Sequence, residues 1–153
     1  MNNIVICVPT FKEIVHVKAF LSSLASTNFQ FKELIIVNGN YGDETTQYIK
    51  SQKNLLNFKI TEVPGSKDEF WSGTINRGLN KIIEDHESSV DVILCNIDII
   101  FNQMTLVNLL KTFNSFSKKA IVGALGISKD KVFCSGVKVQ SWLFPIKNLH
   151  PYE

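Results

Sequence analysis

Four mainly apolar runs, separated by polar segments, organise the first two thirds of the chain. They cover residues 4–8, 31–37, 56–60 and 90–101. Three of them contain consecutive apolar residues, often β-branched, which is typical of strands covered on both faces of a sheet. In the run 56–60 apolar and polar residues alternate, which indicates a half-exposed strand near an edge. We therefore predict four strands, with the run 90–101 as the one around which the chain is built.

Residues with helical spacing lie between these runs. Thr10 and Glu13 have the form of a capping box, which predicts a first helix that begins just after Thr10. Asp43 follows a turn-rich loop over residues 38–43 and is predicted to cap a second helix over residues 44–50, with a ligand role as the alternative. The apolar positions of the first helix are Ile14, Val17, Leu21 and Leu24.

Two further helices follow the third and fourth runs. The third is predicted over residues 71–86, where Gly73 and Gly78 each cost helix stability and therefore suggest that another element packs closely there. The fourth is predicted from about Asn102. Its inward-facing residues are expected to be Leu106, Leu109, Leu110, Phe113 and Phe116.

The alternation of strands and helices predicts a mostly parallel α/β sheet. Further strands are expected at residues 120–125, 131–133 and 137–139, and residues 145–153 show no pattern. Since the carboxyl ends of parallel strands meet at one edge of the sheet, the polar loops after the strands should gather there.

Length and charge narrow the class of protein. A chain of 153 residues suits one domain over residues 1–153, and its net charge of +2 does not argue for a nucleic-acid partner. No apolar stretch approaches the length of a transmembrane segment, and Pro9 ends the first apolar run too early for a signal peptide. We therefore expect a cytoplasmic protein.

Cysteine and histidine are spaced unlike metal ligands. The chain contains Cys7, Cys95 and Cys134, without a Cys-x-x-Cys pair, and His16, His86 and His150. We expect buried, reduced thiols and no zinc site. His16 is expected at the surface and Trp71 in the core, with a cleft position as the alternative for Trp71.

The polar candidates suit one kind of ligand. The chain has no phosphate loop, no dinucleotide-binding glycine motif and no nucleophile elbow. It offers Asp98 as a well-placed carboxylate at a strand end, several amides, and Arg77, which suits either ligand contact or a solvated helix face. Such a set fits a phosphate ester held by a divalent cation, since Mg²⁺ often takes only one or two protein carboxylates.

Four segments in order resemble the inverting, family-2-type glycosyltransferases with the GT-A fold. Residues 8–13 are similar to their opening Val-Pro-x-Tyr-Asn-Glu, and residues 37–45 to their Val-Asp-Asp-Gly-Ser-Thr-Asp-Gly-Thr loop. Residues 70–79 resemble the glycine-rich stretch that ends in Asn-Arg-Gly. Residues 96–98, Asn-Ile-Asp, occupy the place of the Asp-x-Asp motif.

The resemblance implies a three-layer α/β/α sandwich that binds a nucleotide-diphosphate sugar (UDP-, TDP- or GDP-linked). The residues implied in donor binding are Pro9, Thr10, Phe11, Glu13, Asn38, Asn40, Arg77, Asn96 and Asp98. Asn38 would recognise the base, Asn96 would lie near the ribose, and Asp98 would hold Mg²⁺ or Mn²⁺ on the diphosphate. The acceptor would be a glycan or a lipid-linked sugar. The protein would act in the cytoplasm or at the inner face of the membrane.

Two departures from the family keep other classes open. Asn38 and Asn96 replace acids that are usual in the family, and nothing after Gly126 resembles the acceptor-binding portion, so no catalytic base is named. A non-catalytic nucleotide-binding or interaction module is therefore the alternative to a glycosyltransferase. A nucleotidyltransferase ranks last, because residues 9–12 do not form the glycine-rich, basic loop that it would need.

Overall fold

The computed structural model describes residues 3–86, 90–116 and 121–124, and the backbone of four short strands within residues 126–148. The chain divides into two compact units, Met1–Gln103 and Met104–Glu153. The single domain expected over residues 1–153 stays a prediction.

The first unit alternates strands and helices. In chain order its elements are β1 (Ile4–Thr10), α1 (Ile14–Ser26), β2 (Glu33–Asn38), α2 (Glu44–Gln52), β3 (Ile60–Pro64), α3 (Trp71–His86) and β4 (Asp91–Leu94). All four strands are parallel, in the order β3-β2-β1-β4. The predicted α/β class is confirmed.

The strand order reverses at β1. The chain moves outward from β1 to β2 and β3, and then crosses back to place β4 on the other side of β1. Because crossovers between parallel strands are right-handed, the reversal puts α3 on the face opposite α1 and α2. A crevice forms at such a reversal, outside the carboxyl ends of the two adjacent strands.

Alternate residues of the central strands form the core under α3. Cys7, Ile35 and Val37 are fully buried and cluster with Ile75 and Ile82 of the helix. Gly78 lies at the closest approach, where a Cβ atom would collide with Cys7 Sγ and lie 3.0 Å from Val37 Cγ2. The predicted close packing is therefore confirmed at Gly78. At Gly73 a Cβ atom would meet only Glu69, at 3.4 Å, which is an ordinary contact.

The predicted start of α1 is wrong. Thr10 is the last residue of β1 and pairs with Asn38, while Glu13 takes the N-cap position. Between them Lys12 has a positive φ of 54°, so the backbone turns before the helix can begin. By contrast Asp43 caps α2 as predicted, accepting a hydrogen bond from Thr46 N at 3.1 Å.

The third strand lies later than predicted. Residues 56–59 are outside β3, which begins at Ile60 opposite Leu34. Phe58 is instead packed on the ring of Phe31, with a centroid distance of 4.9 Å. The apolar residue at position 58 therefore serves an aromatic contact and does not mark an alternating strand. The edge position is confirmed within the described sheet.

The fourth strand is less covered than predicted. β4 spans only Asp91–Leu94, and Val92 and Leu94 are 38% and 45% exposed. It lies at the other edge of the described sheet, so burial on both faces is wrong.

The second unit contains α4 (Thr105–Asn114) and two antiparallel strand pairs. They are β5 (Gly126–Ser128) with β6 (Lys131–Cys134), and β7 (Val137–Lys138) with β8 (Lys147–Asn148). Of the expected inward residues of α4 only Leu106 is fully buried, and Phe116 is exposed. Among the helices that the structure describes, none is long and apolar enough to cross a membrane.

The later strand predictions have different outcomes. The strand at residues 131–133 is confirmed by β6, and that at 137–139 by β7 as far as Lys138. Residues 121–124 form no strand, which contradicts the prediction for 120–125. Residues 120, 125 and 139 lie outside the described residues, and β8 falls within 145–153, where no element was predicted.

Glu33 lies buried at the amino end of β2, at the sheet edge opposite the crevice. Its carboxylate pairs with Lys59 Nζ at 2.8 Å and His86 Nε2 at 2.9 Å, and accepts a hydrogen bond from Thr61. Burial alone would raise the pKa of Glu33, but these hydrogen bonds outweigh it and lower the pKa below its usual 4.5. The ionised carboxylate therefore stabilises the fold.

We expect Gly78→Ala to lower the free energy of unfolding by about 1–3 kcal/mol, because the added methyl group overpacks the contact with Cys7. Gly73→Ala is the matched control and should be neutral or stabilising by up to about 1 kcal/mol. Combining Cys7→Ala with Gly78→Ala should recover part of the free energy of unfolding that Gly78→Ala loses. Urea unfolding measures all four proteins, and an unaffected Gly78→Ala variant would refute the close packing.

We expect Glu33→Gln to destabilise the fold by about 1–3 kcal/mol at pH 7. Because the folded pKa of Glu33 is lowered, its contribution is present above the unfolded pKa and is lost as pH falls through the folded pKa. The stability difference between parent and variant should therefore shrink below about pH 4.5. Urea unfolding between pH 3 and 7 checks this, and a difference independent of pH would contradict it.

Candidate functional site

A cleft of about 250 Å³ opens at the carboxyl ends of β1, β2 and β4, where the strand order reverses. It is lined by Pro9, Thr10, Phe11, Glu13, Gly39, Glu69, Trp71, Thr74, Asn96, Ile97 and Asp98. All of these residues belong to the unit Met1–Gln103. The prediction that the polar loops gather at one edge is confirmed.

The turn after β1 forms one wall. Phe11 is 44% exposed at the cleft, and Gly39 lies against it, donating its N–H to Thr10 O at 2.9 Å. A Cβ atom at Gly39 would lie 3.0 Å from Phe11 Cδ2, so a larger residue would displace the ring. Thr10 is buried, and its hydroxyl has no hydrogen-bond partner among the described residues.

The segment after β4 forms the facing wall. Ile97 is 4% exposed and anchors this segment, while Asn96 and Asp98 on either side are exposed at the cleft. Within the part of the chain that the structure describes, the Asp98 carboxylate has no hydrogen bond or ion pair. A carboxylate left exposed and unpaired at a strand end remains free to bind a ligand.

The start of α3 contributes Trp71. This residue is 52% exposed and lines the cleft, so the prediction that it lies in the core is wrong. Its indole Nε1 donates to Asn96 Oδ1 at 2.7 Å. Trp71 has the helical spacing of a core residue, but it is the first residue of α3 and therefore reaches the edge of the sheet rather than its centre.

Arg77 pairs with Glu69 and does not line the cleft. Arg77 Nε donates to Glu69 Oε2 at 3.1 Å, and its terminal nitrogen bonds the other carboxylate oxygen. The hydrogen bond from Arg77 lowers the pKa of Glu69. Of the two alternatives for Arg77, this geometry matches a solvated helix face, where the guanidinium neutralises a cleft-lining acid.

Asn38 is buried and does not line the cleft, and the base contact implied for it stays a prediction. Its Nδ2 donates to Asp43 Oδ1 at 3.3 Å, Thr46 Oγ1 at 3.1 Å and Glu62 Oε1 at 3.1 Å. Its Oδ1 accepts from Asn40 N at 3.0 Å. With its donor and acceptor both engaged, Asn38 fixes the loop that presents Gly39.

Asn40 also supports this loop instead of lining the cleft. Its Nδ2 donates to Asp43 Oδ2 at 3.1 Å. Burial alone would raise the pKa of Asp43, but the hydrogen bonds from Asn40, Asn38 and the α2 backbone lower it. Asp43 therefore acts as a helix cap, which was one of its two predicted roles.

The possible metal ligands at the cleft fit a weakly held divalent cation. Across residues 3–86, 90–116 and 121–124 no three His, Cys, Asp or Glu residues form a metal-binding group. Asp98 is a single free carboxylate, which matches a cation that takes most of its ligands from phosphate and water.

Several residues that line the cleft were not among the site residues predicted from the sequence. They are Gly39, Glu69, Thr74 and Ile97, together with Trp71, which was assigned to the core. Their types carry no chemical signature of a ligand site. Only the position of Glu69 and Thr74 on either side of the start of α3 could have indicated the edge.

Comparison with known proteins identifies the family. The family model for glycosyl transferase family 2 matches residues 5–144. The chain belongs to this family. A search of the curated proteins found no match.

Solved structures share the GT-A fold with this chain. S. aureus TarS 1-349 matches with a TM-score of 0.58 at 18% identity, over 96% of this chain and 43% of that chain. Its complex with UDP-GlcNAc matches with a TM-score of 0.55 at 20% identity, over 75% and 32% of the two chains. A Pyrobaculum calidifontis mannosyltransferase in complex with GDP-Man and Mn²⁺ gives 0.56 at 15% identity, over 72% and 32%. The chain spans less than half the length of each neighbour.

We expect Asn38→Asp to destabilise the protein by about 2–4 kcal/mol at pH 7, because a third carboxylate would face Asp43 and Glu62 in place of an N–H donor. The loss should decrease towards pH 5, because the pKa of the introduced carboxylate is raised by the neighbouring negative charges. Asn40→Asp is the matched control, since it adds the same charge at a less buried position. Thermal unfolding at both pH values decides this, and equal losses for the two variants would contradict the role of Asn38.

Proposed function

We propose that the cleft binds a nucleotide-diphosphate sugar with Mg²⁺ or Mn²⁺, and that this glycosyltransferase domain transfers the sugar to an acceptor hydroxyl. The observation that carries the proposal is the exposed, unpaired Asp98 at the point where the strand order reverses. The family supports it, as do neighbours solved with UDP-GlcNAc and with GDP-Man and Mn²⁺.

The cleft offers distinct contacts to the parts of such a donor. Pro9, Thr10, Phe11 and Glu13 would border the nucleoside, with the exposed ring of Phe11 available to stack on the base. Gly39 leaves room for that ring, while Asn38 and Asn40 would act by holding its loop. UDP, TDP and GDP remain the candidate nucleotides.

Asp98 would hold the cation, and Asn96 beside it would contact the ribose or diphosphate. When bound, the cation supplies positive charge that stabilises the departing diphosphate. Arg77 would reach the donor only by leaving Glu69. The acceptor proposed is a glycan or lipid-linked sugar, in cell-surface polysaccharide or glycan synthesis on the cytoplasmic side of the membrane.

A nucleotide-binding module without turnover is the second candidate. A general base must come within hydrogen-bond reach of the acceptor hydroxyl. Three acids line the described cleft: Glu13 lies 3.4 Å from His16, Glu69 is bound by Arg77, and Asp98 is assigned to the cation. We assign no catalytic base among them, which favours this candidate for the 153-residue chain alone.

We expect the parent to bind UDP, GDP or TDP more tightly with Mn²⁺ than without, and Asp98→Asn to lose that metal-dependent part, roughly tenfold or more in Kd. Asp91→Asn is the matched control, because it removes an exposed acid at the amino end of β4, which does not line the cleft. Isothermal titration measures the affinities and thermal unfolding confirms the fold. Retained metal dependence in Asp98→Asn would refute the assignment.

Turnover separates the two candidates. With a UDP-, TDP- or GDP-sugar, Mn²⁺ and an added acceptor, a transferase forms a glycosylated product, whereas a binding module binds the nucleotide and leaves the acceptor unchanged. We expect slow transfer or none from the isolated chain. Efficient transfer would overturn the second candidate and require a base in the cleft.

A further inference from the structure

The contact between Trp71 and Asn96 joins two walls of the cleft. Trp71 lies at the start of α3 and Asn96 follows β4, and both line the cleft beside Asp98. The indole Nε1 donates to Asn96 Oδ1 at 2.7 Å. Trp71 remains 52% exposed, so its side chain lines the cleft while its N–H is engaged.

The chemistry of the indole fixes which atom of Asn96 faces it. An indole N–H only donates, so its partner must be the oxygen of the side-chain amide. The NH₂ group of Asn96 is therefore turned away from Trp71, and it has no acceptor among the residues that the structure describes. A hydrogen-bond donor is thus held at the cleft, two residues before the free carboxylate of Asp98.

We propose that Trp71 orients Asn96 as an N–H donor to a diphosphate oxygen of the nucleotide. The segment would then bind the diphosphate through one hydrogen-bond donor and one cation-binding carboxylate, instead of through two acids. Trp71 is a positioning residue in this arrangement, since it acts through Asn96. This inference rests on the proposed function, because it assumes that the cleft holds a nucleoside diphosphate.

One substitution, Asn96→Asp, should weaken binding without metal and increase the gain in affinity that metal gives. In Asn96→Asp one carboxylate oxygen would still accept from Trp71, and the other would face the cleft with a negative charge. Binding of UDP without metal should weaken roughly three- to tenfold, because a donor is lost and a charge faces the phosphates. Binding with Mn²⁺ should strengthen relative to the metal-free value by more than in the parent, because the cation gains a second carboxylate.

Trp71→Phe tests the orientation itself. It keeps an aromatic ring but removes the N–H, which frees the amide of Asn96 to rotate. UDP affinity should fall roughly three- to tenfold while uridine affinity is unchanged, because only the diphosphate contact is lost. Phe70→Leu is the matched control: Phe70 is the neighbouring aromatic residue, is 87% exposed and does not line the cleft.

Isothermal titration of the parent, Trp71→Phe, Asn96→Asp and Phe70→Leu with UDP and uridine, with and without Mn²⁺, decides the proposal. The expected result is a larger gain in affinity from Mn²⁺ in Asn96→Asp than in the parent, and a UDP-specific loss in Trp71→Phe. If the parent binds UDP and both Trp71→Phe and Asn96→Asp bind it with the affinity of Phe70→Leu, this inference is overturned while the proposed function stands. A parent that binds no nucleotide would overturn the proposed function and this inference with it.

A measurement without nucleotide tests the underlying contact. In the ¹H–¹⁵N spectrum the indole N–H signal of Trp71, assigned by its loss in Trp71→Phe, should exchange slowly with solvent and should exchange faster in Asn96→Ala. An indole signal that exchanges equally fast in the parent and in Asn96→Ala would show that the hydrogen bond does not form, and would overturn the inference whatever the titrations give.

Discussion

The reversal of strand order between β1 and β4 is the constraint on which the rest of this structure depends. Because each crossover is right-handed, the reversal sends α3 to the opposite face of the sheet and leaves a crevice outside the adjacent carboxyl ends of β1 and β4. The turn at Phe11 and the segment at Asn96 and Asp98 face each other for this reason, and the first residue of α3, Trp71, reaches the same opening.

The two ends of the sheet use charge differently. At the amino end of β2, Glu33 is buried and bonded to Lys59, Thr61 and His86, so its charge serves the fold. At the carboxyl end Asp98 is exposed and unpaired within the described chain, which costs little in water and leaves its charge available to a cation. The close approach of α3 at Gly78 keeps the helix against the sheet.

Much of this arrangement follows from sequence patterns, and the failures have physical causes. The bounds of α3, the cap at Asp43 and the cleft positions of Pro9, Thr10, Phe11, Glu13, Asn96 and Asp98 were predicted. The Thr-x-x-Glu pattern failed because β1 continues through Thr10 in register with β2, and a local motif cannot outweigh that tertiary pairing. The buried hydrogen-bond network of Asn38 could not be predicted, because an amide after a strand suits a ligand or a buried network equally. Only the position of Glu62 on the adjacent strand decides between them. The predicted core position of Trp71 was wrong because spacing along a helix does not distinguish the core of the sheet from its edge.

The central claim is that Asp98 holds a divalent cation against a nucleoside diphosphate in this cleft. Paramagnetic broadening by Mn²⁺ tests it most directly, because the broadened amide signals in a ¹H–¹⁵N spectrum mark the residues nearest the ion. With UDP and substoichiometric Mn²⁺ we predict that the signals of Asp98, Asn96 and Gly39 broaden first, and that they sharpen again on adding a chelator. Broadening centred on another part of the chain, or none in the presence of UDP, would contradict the account.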